Sequence, residues 1–387
     1  MPSTEHGRDE EVAEQVQEEL KVLNRSVIDT VTQIVNNDEP ASDLWPQFRK
    51  AIFDYKKKST EILKPANIED TLNDSEPKAE ADRDDSFKHT VPKEPVLILW
   101  PLSPALQKSL QSGATAKGVV IENGPASTLR LALSNLLVKG EILYVYVARY
   151  VVRILPDIVV KINASNDTTE LHILDHIHEH SQLIPAPIAL GMIMIGKWSY
   201  TFSSFIPGIP LDRIWGNLTS DKKCHVRDQL NHIFTELRGL PIPSKEGYLG
   251  GGMPPICKGG HRFKKIASVP IVSEAQFNDF ILDDSWLEDG RLDYLRREMP
   301  SNNQIVMTHG DLCPLNILVK SEDTVEIAGV VDWETGGAYP EYWEYVNAFR
   351  SSFHSQDDWC LFLPEAGIGR FFDDYVKYSM IGRFARE

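Results

Sequence analysis

The sequence has no long hydrophobic run. Its longest candidate, Val96–Trp100, falls far short of the roughly 18 apolar residues a membrane span needs, and Pro101 ends it. No membrane contact is expected. The N-terminus opens on Glu, Arg and Asp and has no apolar stretch of the kind a secretory signal carries. Cysteine is scarce: Cys224, Cys257, Cys313 and Cys360 are scattered with no C-x-x-C spacing, which reads as free thiols in a reducing, cytoplasmic setting. A basic patch is also missing. With 40 Lys/Arg against 56 Asp/Glu the formal net charge is -16, which argues against a nucleic-acid partner and is compatible with a cationic small molecule.

What is present is a chain of 387 residues, 42% of them hydrophobic, enough to bury a full core in two or three domains. The first 90 residues carry 21 Asp/Glu and 12 Lys/Arg, a net of -9. Within them Val12, Val16, Leu20, Leu23, Val27, Val31 and Ile34 recur at helical spacing as one stripe. Leu44, Phe48, Ile52 and Tyr55 suggest a second helix, and Asp70–His89 is polar enough to be a disordered linker. Residues 1–90 are therefore expected to be an acidic helical extension. Its segment 8–64 would dock on the body, bind a partner or self-associate.

From about Pro92 the composition turns globular. Ile142–Ile154 and Ile158–Ile162 read as two strands joined by a tight turn at Leu155-Pro156-Asp157. A helix is expected over 168–180, capped by Asn166, Asp167 or Thr168. A strand pair follows in Ile188–Ile195 and Trp198–Ile206. After Pro207-Gly208 come helices at Lys222–Arg238, Glu274–Leu282 and Gly290–Glu298, interrupted by short strands at Ile317–Val319 and Glu326–Val331. This order implies an α+β fold in two lobes: a strand-rich lobe over 91–206, a helix-rich lobe over 207–387, and a cleft between them.

The strongest chemical signal is His309-Gly310-Asp311-Leu312-Cys313-Pro314-Leu315-Asn316, followed by Val330-Val331-Asp332-Trp333-Glu334. Two carboxylates and an amide thus sit at turns around one short hairpin with apolar flanks. Phosphoryl transfer uses such a set: one carboxylate orients the attacking hydroxyl and takes its proton, while a carboxylate and an amide oxygen hold Mg²⁺. Asp and Asn are also ordinary turn residues, but both motifs in order make that reading the weaker one. Upstream, Lys161 lies in the apolar run Val159–Ile162, and Glu170 shares a helix face with Ile173, Leu174 and Ile177. Two readings fit these residues equally: a pair meeting across the cleft, or an edge-strand lysine with a first-turn glutamate that favours the helix dipole. Taken with the downstream motif, the pair is favoured.

H-x-D-x-x-x-x-N followed by D-x-E resembles the catalytic loop of the aminoglycoside phosphotransferase and choline kinase group, which shares the protein-kinase fold. The likeness spans about 140–350, and Ile184–Pro187, Phe205–Gly208 and Gly336–Tyr345 are similar to stretches in fungal members. The resemblance implies a two-lobed protein-kinase-like fold and an ATP- and Mg²⁺-dependent small-molecule kinase. It implies Asp311 as catalytic base, His309 as a brace for the loop, Asn316 and Asp332 as metal ligands, and Lys161 with Glu170 at the nucleotide phosphates. Glu334 would support the metal site. The acceptor, an amine or other cation, would sit among the segments between Leu211 and Met299.

The Gly-rich loop that covers phosphates in protein kinases is lacking: Tyr146–Arg153 contains no glycine, and Arg149 or Arg153 would either contribute there or simply be solvated. No A-P-E-like anchor follows Asp332, and Cys313 stands where most Ser/Thr kinases have lysine, so a protein kinase is not expected. The missing loop and the extension keep a second class open, a kinase-fold binding or scaffold protein without turnover. His172, His176 and His180 recur at i, i+4 and i+8 with no carboxylate or cysteine to complete a site, so a solvated helix face is expected. Gly250-Gly251-Gly252 reads as a flexible loop. Trp333, Trp343 and Trp359 with Glu341, Glu344, Asp357 and Asp358 read as core aromatics and surface acids in preference to an amine pocket.

Overall fold

The computed structural model describes residues 91–110, 120–121, 125–146, 149–259, 265–282, 289–299, 302–351 and 358–383, with isolated positions between 19 and 58. The chain divides into two compact units, Met1–Glu76 with Ser352–Phe362, and Pro77–Ser351 with Leu363–Glu387. The expected helical stripe, the self-association segment 8–64 and the linker lie outside the described residues. So does Asp357, while Trp359 and Asp358 belong to the first unit. The account below concerns the second unit.

Its N-terminal lobe comprises β1 (Val96–Trp100), α1 (Pro104–Leu110), β2 (Val120–Ile121), α2 (Pro125–Lys139), β3 (Glu141–Tyr146), β4 (Arg149–Leu155), β5 (Ile158–Asn163), α3 (Thr169–His180), β6 (Ala189–Ile195) and β7 (Trp198–Ser204). Seven strands form one antiparallel sheet in the order β2-β1-β6-β7-β5-β4-β3. The pleat sorts the side chains: Ile158, Val160 and Ile162 of β5 are buried, and Lys161 lies on the other face with Val159 and Asn163. The buried face packs on α1 and α2 through Leu106, Leu110, Leu129, Leu133 and Leu137. Spacings of four on α2 set its leucines in one line. Residues upstream of the recognised segment thus complete this lobe, and Val96–Trp100 is an inner strand.

The expected single strand Ile142–Ile154 is two. β3 folds back on β4 with Tyr146 opposite Arg149. The run is rich in β-branched and aromatic residues and contains no Gly, Pro, Asn or Asp, so its composition specifies strand but not where the strand reverses. The Pro156-Asp157 turn joins β4 to β5 with Leu155 opposite Ile158. At the start of α3, Asp167 Oδ1 accepts the Thr169 N–H at 2.9 Å.

The C-terminal lobe continues with β8 (Ile209–Pro210), α4 (Asp212–Trp215), α5 (Ser220–Gly239), β9 (Lys258–Gly259), β10 (Lys265–Ile266), α6 (Glu274–Leu282), α7 (Asp289–Glu298), β11 (Ile305–Thr308), β12 (Ile317–Val319), β13 (Ile327–Val330), β14 (Gly337–Pro340), α8 (Trp343–Ser351), α9 (Glu365–Ile368) and α10 (Phe372–Arg383). Its strands form three small sheets, β13-β12-β8, β11-β14 and β10-β9. Phe277, Tyr339, Tyr342 and Trp343 pack at the centre of this lobe. The architecture is α+β in two lobes, a sheet lobe and a helical lobe. Among the described residues, no helix is long and apolar enough to cross a membrane.

Leu133 is fully buried between α2 and the sheet. Leu133→Ala is expected to lower the unfolding free energy by about 2–5 kcal/mol, read from the urea midpoint. An unchanged midpoint would show that α2 is not part of the lobe's core.

Candidate active site

Two ladders bring the separated motifs together. β11 pairs with β14 so that Thr308 faces Gly337, and β12 pairs with β13 so that Ile317 faces Val330. The His309–Asn316 turn and the Val331–Glu334 turn therefore leave neighbouring strand ends. The Val331 N–H donates to the Asn316 carbonyl at 2.9 Å and locks the two turns.

The loop backbone is held by buried side chains. His309 is fully buried. Its Nε2–H donates to the Val331 carbonyl at 2.9 Å, which leaves Nδ1 to accept the Asp311 N–H at 3.2 Å. The ring meets Trp333 edge-on at 4.6 Å, and the Trp333 indole N–H donates to the Val330 carbonyl at 2.8 Å. Glu344, on the first turn of α8, is also fully buried. Its carboxylate accepts the His309 N–H at 2.6 Å and the Gly310 N–H at 3.1 Å. Burial pushes the Glu344 carboxyl above its ordinary range, against the pull of these N–H bonds. Gly310 has φ of +79°, and a Cβ there would come within 2.7 Å of the Thr335 carbonyl oxygen. The turn therefore needs glycine on both counts.

Asn316 Nδ2 donates to the Asp311 carbonyl at 2.9 Å and to Asp311 Oδ2 at 3.1 Å. Asp311 is raised above its ordinary pKa by burial, and then by the charge of Asp332. Asp332 itself is held at φ 67°, ψ 60°, the left-handed region that Asp tolerates better than most residues.

Lys161 reaches this cluster from β5. Its ammonium contacts Asp332, lies 2.9 Å from Glu334 Oε2 and lies 3.4 Å from Glu170 Oε2. Burial disfavours the ammonium, yet Asp332, Glu170 and Glu334 together outweigh that and hold its pKa well above the usual lysine value. Glu170 is raised by burial and by the neighbouring carboxylates, and lowered by Lys161. Arg149, beside the β3–β4 turn, pairs with Glu334 at 3.3 Å. Arg153 instead turns to the Pro156 carbonyl and the Phe205 ring. Asp311, Asp332, Glu334 and Glu170 thus gather around two paired cations, Lys161 and Arg149, with the charge of Arg350 also acting on Asp311. This excess of carboxylate oxygen is what a hard divalent cation takes.

All six residues singled out from the sequence, His309, Asp311, Asn316, Asp332, Lys161 and Glu170, lie in one connected set. Two others escaped sequence reasoning. Glu344 was expected on the surface, and Lys258 gave no signal at all. The Lys258 ammonium, buried, bonds the Asp167 carboxylate and the Glu334 carbonyl, tying the start of α3 to the Asp332 turn. The expected flexible loop at 250–252 is instead packed. Gly250 exchanges backbone bonds with Ala338 at 2.7 and 2.9 Å. A Cβ on Gly251 would lie 2.1 Å from the Gly336 carbonyl oxygen, so close approach, not flexibility, explains this glycine. Trp333 and Trp343 are core residues, as expected.

The model of the APH phosphotransferase enzyme family matches residues 144–380, more than half of the chain. The chain belongs to this family. It is a small-molecule kinase. Among its relatives, this phosphotransferase is 24% identical to the aminoglycoside 3'-phosphotransferase of Streptomyces fradiae over 217 residues, covering 54% of this chain and 71% of the other. It is similar to the crystal structure of aminoglycoside phosphotransferase APH(4)-Ia, at 15% identity and a TM-score of 0.42, covering 64% of this chain and 94% of that one. A streptomycin–ATP–APH(2″)-IIa ternary complex matches at 12% identity and a TM-score of 0.42, over 67% and 87%.

Because two buried N–H groups end on Glu344, the phosphotransferase should depend on it. Glu344→Ala is expected to lower stability by about 1–3 kcal/mol, the cost of leaving a buried donor unsatisfied, and to slow turnover through a loosened loop. Urea unfolding and steady-state kinetics would read both. Wild-type stability with wild-type rate would show that the loop holds its shape without Glu344.

Proposed function

We propose that this phosphotransferase is an ATP- and Mg²⁺-dependent O-kinase that phosphorylates a hydroxyl of a small cationic molecule. The observation that carries this reading is the convergence of Asp311, Asn316 and Asp332 on two interlocked turns, with Lys161 reaching them from the opposite lobe. Membership of the phosphotransferase enzyme family supports it. The net charge of -16 favours a cationic acceptor.

Asp311 is the base: it orients the acceptor hydroxyl and takes its proton as the bond to phosphorus forms. His309 and Glu344 fix the loop that carries it. The donor set fits Mg²⁺, since Asp332 offers a partly exposed carboxylate and Asn316, with its Nδ2 engaged by Asp311, keeps Oδ1 for a cation. When bound there, the ion neutralises charge on the nucleotide phosphates. Lys161 turns its ammonium from Asp332 to phosphate oxygens, and Glu170 keeps it oriented. Arg149, beside the hairpin turn, takes the place of a Gly-rich loop near the phosphates.

Replacing Asp311 by Asn should cut turnover by on the order of 10²–10⁴ while nucleotide affinity holds. Kinetics with ATP and a panel of aminoglycosides and other amino alcohols would measure it. A fully active variant would remove Asp311 from the chemistry.

The base works ionised, so rate is lost as pH falls through its pKa. Since burial and Asp332 raise that pKa above 3.8, the acid limb of kcat/KM is expected above an ordinary aspartate's. In the free protein, Asp332→Asn should lower the Asp311 midpoint, followed by carbon-13 NMR of the carboxyl. A midpoint that rises would reverse the assigned coupling.

Asp332→Ala should abolish the Mg²⁺ dependence of ATP binding in calorimetry. If the dependence persists, the Asp332 turn is structural.

A further inference from the structure

α3 carries four histidines, and each meets different surroundings. His172 packs edge-on against Trp100 at 4.5 Å. His178 Nε2 bonds the Pro187 carbonyl at 2.9 Å. His176 and His180, one turn apart, come together at the outer end of the helix with ring centroids 4.4 Å apart. Contrary to the reading of a helix face without a completing carboxylate, Glu179 joins them. One ligating atom from each of His176, Glu179 and His180 lies within 4.8 Å of the others, with His180 and Glu179 exposed and His176 half-buried.

We propose that His176, Glu179 and His180 form a site for a divalent transition metal of the Zn²⁺ type, separate from the phosphoryl-transfer centre. The hydrogen bonds of the two rings support this independently of their proximity. His176 Nε2–H donates to the Pro241 carbonyl at 2.8 Å, and His180 Nδ1–H donates to the His176 carbonyl at 2.9 Å. A carbonyl only accepts, so each bond fixes the proton on the named nitrogen. The lone pair is left on His176 Nδ1 and on His180 Nε2. A ligating histidine is held in this way, with its second nitrogen donating to a carbonyl that orients the ring.

Tetrahedral ligation at zinc needs donor atoms about 3.4 Å apart. Rotation of the exposed Glu179 side chain, with a small adjustment of the His180 ring that keeps its bond to the His176 carbonyl, closes the difference. Two imidazoles and one carboxylate select Zn²⁺, Ni²⁺ or Cu²⁺ over Mg²⁺, which takes oxygen ligands. Mg²⁺ therefore does not compete for this site. Three protein ligands leave the remaining position to water. Because His176 also holds the Pro241 carbonyl, the ion would join the last turn of α3 to the chain that follows α5. The other end of the same helix bears Glu170.

The test is calorimetric titration of ZnCl₂ into the full-length protein in a buffer containing Mg²⁺. One saturable site is expected. His180→Gln and Glu179→Gln should each weaken it by on the order of tenfold or more, while His225→Gln, an exposed histidine near the start of α5, should leave it unchanged. Co²⁺ in place of Zn²⁺ should give a visible absorption band that His180→Gln abolishes. Both residues are exposed, so the variants should fold, and circular dichroism confirms this. Absence of Zn²⁺ binding, or binding that His180→Gln and Glu179→Gln leave unaltered, would overturn the proposal.

Discussion

One buried ammonium holds the centre of this molecule together. Lys161 comes from the middle of a sheet in one lobe, and its partners come from α3 and from the Asp332 turn of the other lobe. A lone charge so placed would be costly, and so would three carboxylates crowded around an empty position. Each solves the other's problem. The result fixes α3 against the Trp333–Thr335 turn, and with it the distance between the lobes at this point. Lys258 repeats the device a few residues away, pairing Asp167 with the backbone of Glu334. Two lysines thus clamp the start of one helix to one turn.

The turns themselves are rigid for a different reason. Their backbone groups end on buried side chains and not on water. His309 ties Asp311 to Val331, and Glu344 collects the N–H groups of His309 and Gly310. The hydrogen bonds satisfy donors that could not remain unpaired in a dry interior. The same burial lifts the pKa of Asp311 and Glu344, so the structural bracing and the electrostatics of the site have one origin. Asp332 in the left-handed region adds a second sign of a turn shaped by its surroundings.

Much of the site was legible in the chain because the residue types at the turns have few other uses together. Asp311, Asn316 and Asp332 stand close in sequence around one hairpin, and apolar strands flank them. Lys161 and Glu170 were legible only in part: a charge on an apolar face calls for a partner, but the pairing was favoured over an edge lysine and a first-turn glutamate only with the downstream motif in view. Glu344 and Lys258 were not legible, and neither was the choice of Glu334 as the partner of Arg149. Their partners lie 34 or 35, 76 or 91, and 185 residues away, and no local pattern encodes such distances. The hairpin between Tyr146 and Arg149 was missed because a strand-forming run without Gly, Pro, Asn or Asp carries no turn signal to mark its reversal.

The sequence by itself determined the alternation that turns Lys161 to the face of the sheet opposite Val160, the helix that presents Glu170, and the order of acids and amide along the two turns of the candidate site. These follow from side-chain periods of two and 3.6 and from turn chemistry, which act over a few residues. Tertiary structure alone decided which carboxylates Lys161 would gather, that Glu344 would be buried beneath the loop, that Gly251 would sit against Gly336, and that α1 and α2 would close the back of the sheet. Those outcomes depend on where whole strands and helices pack, and packing joins residues that no local rule connects.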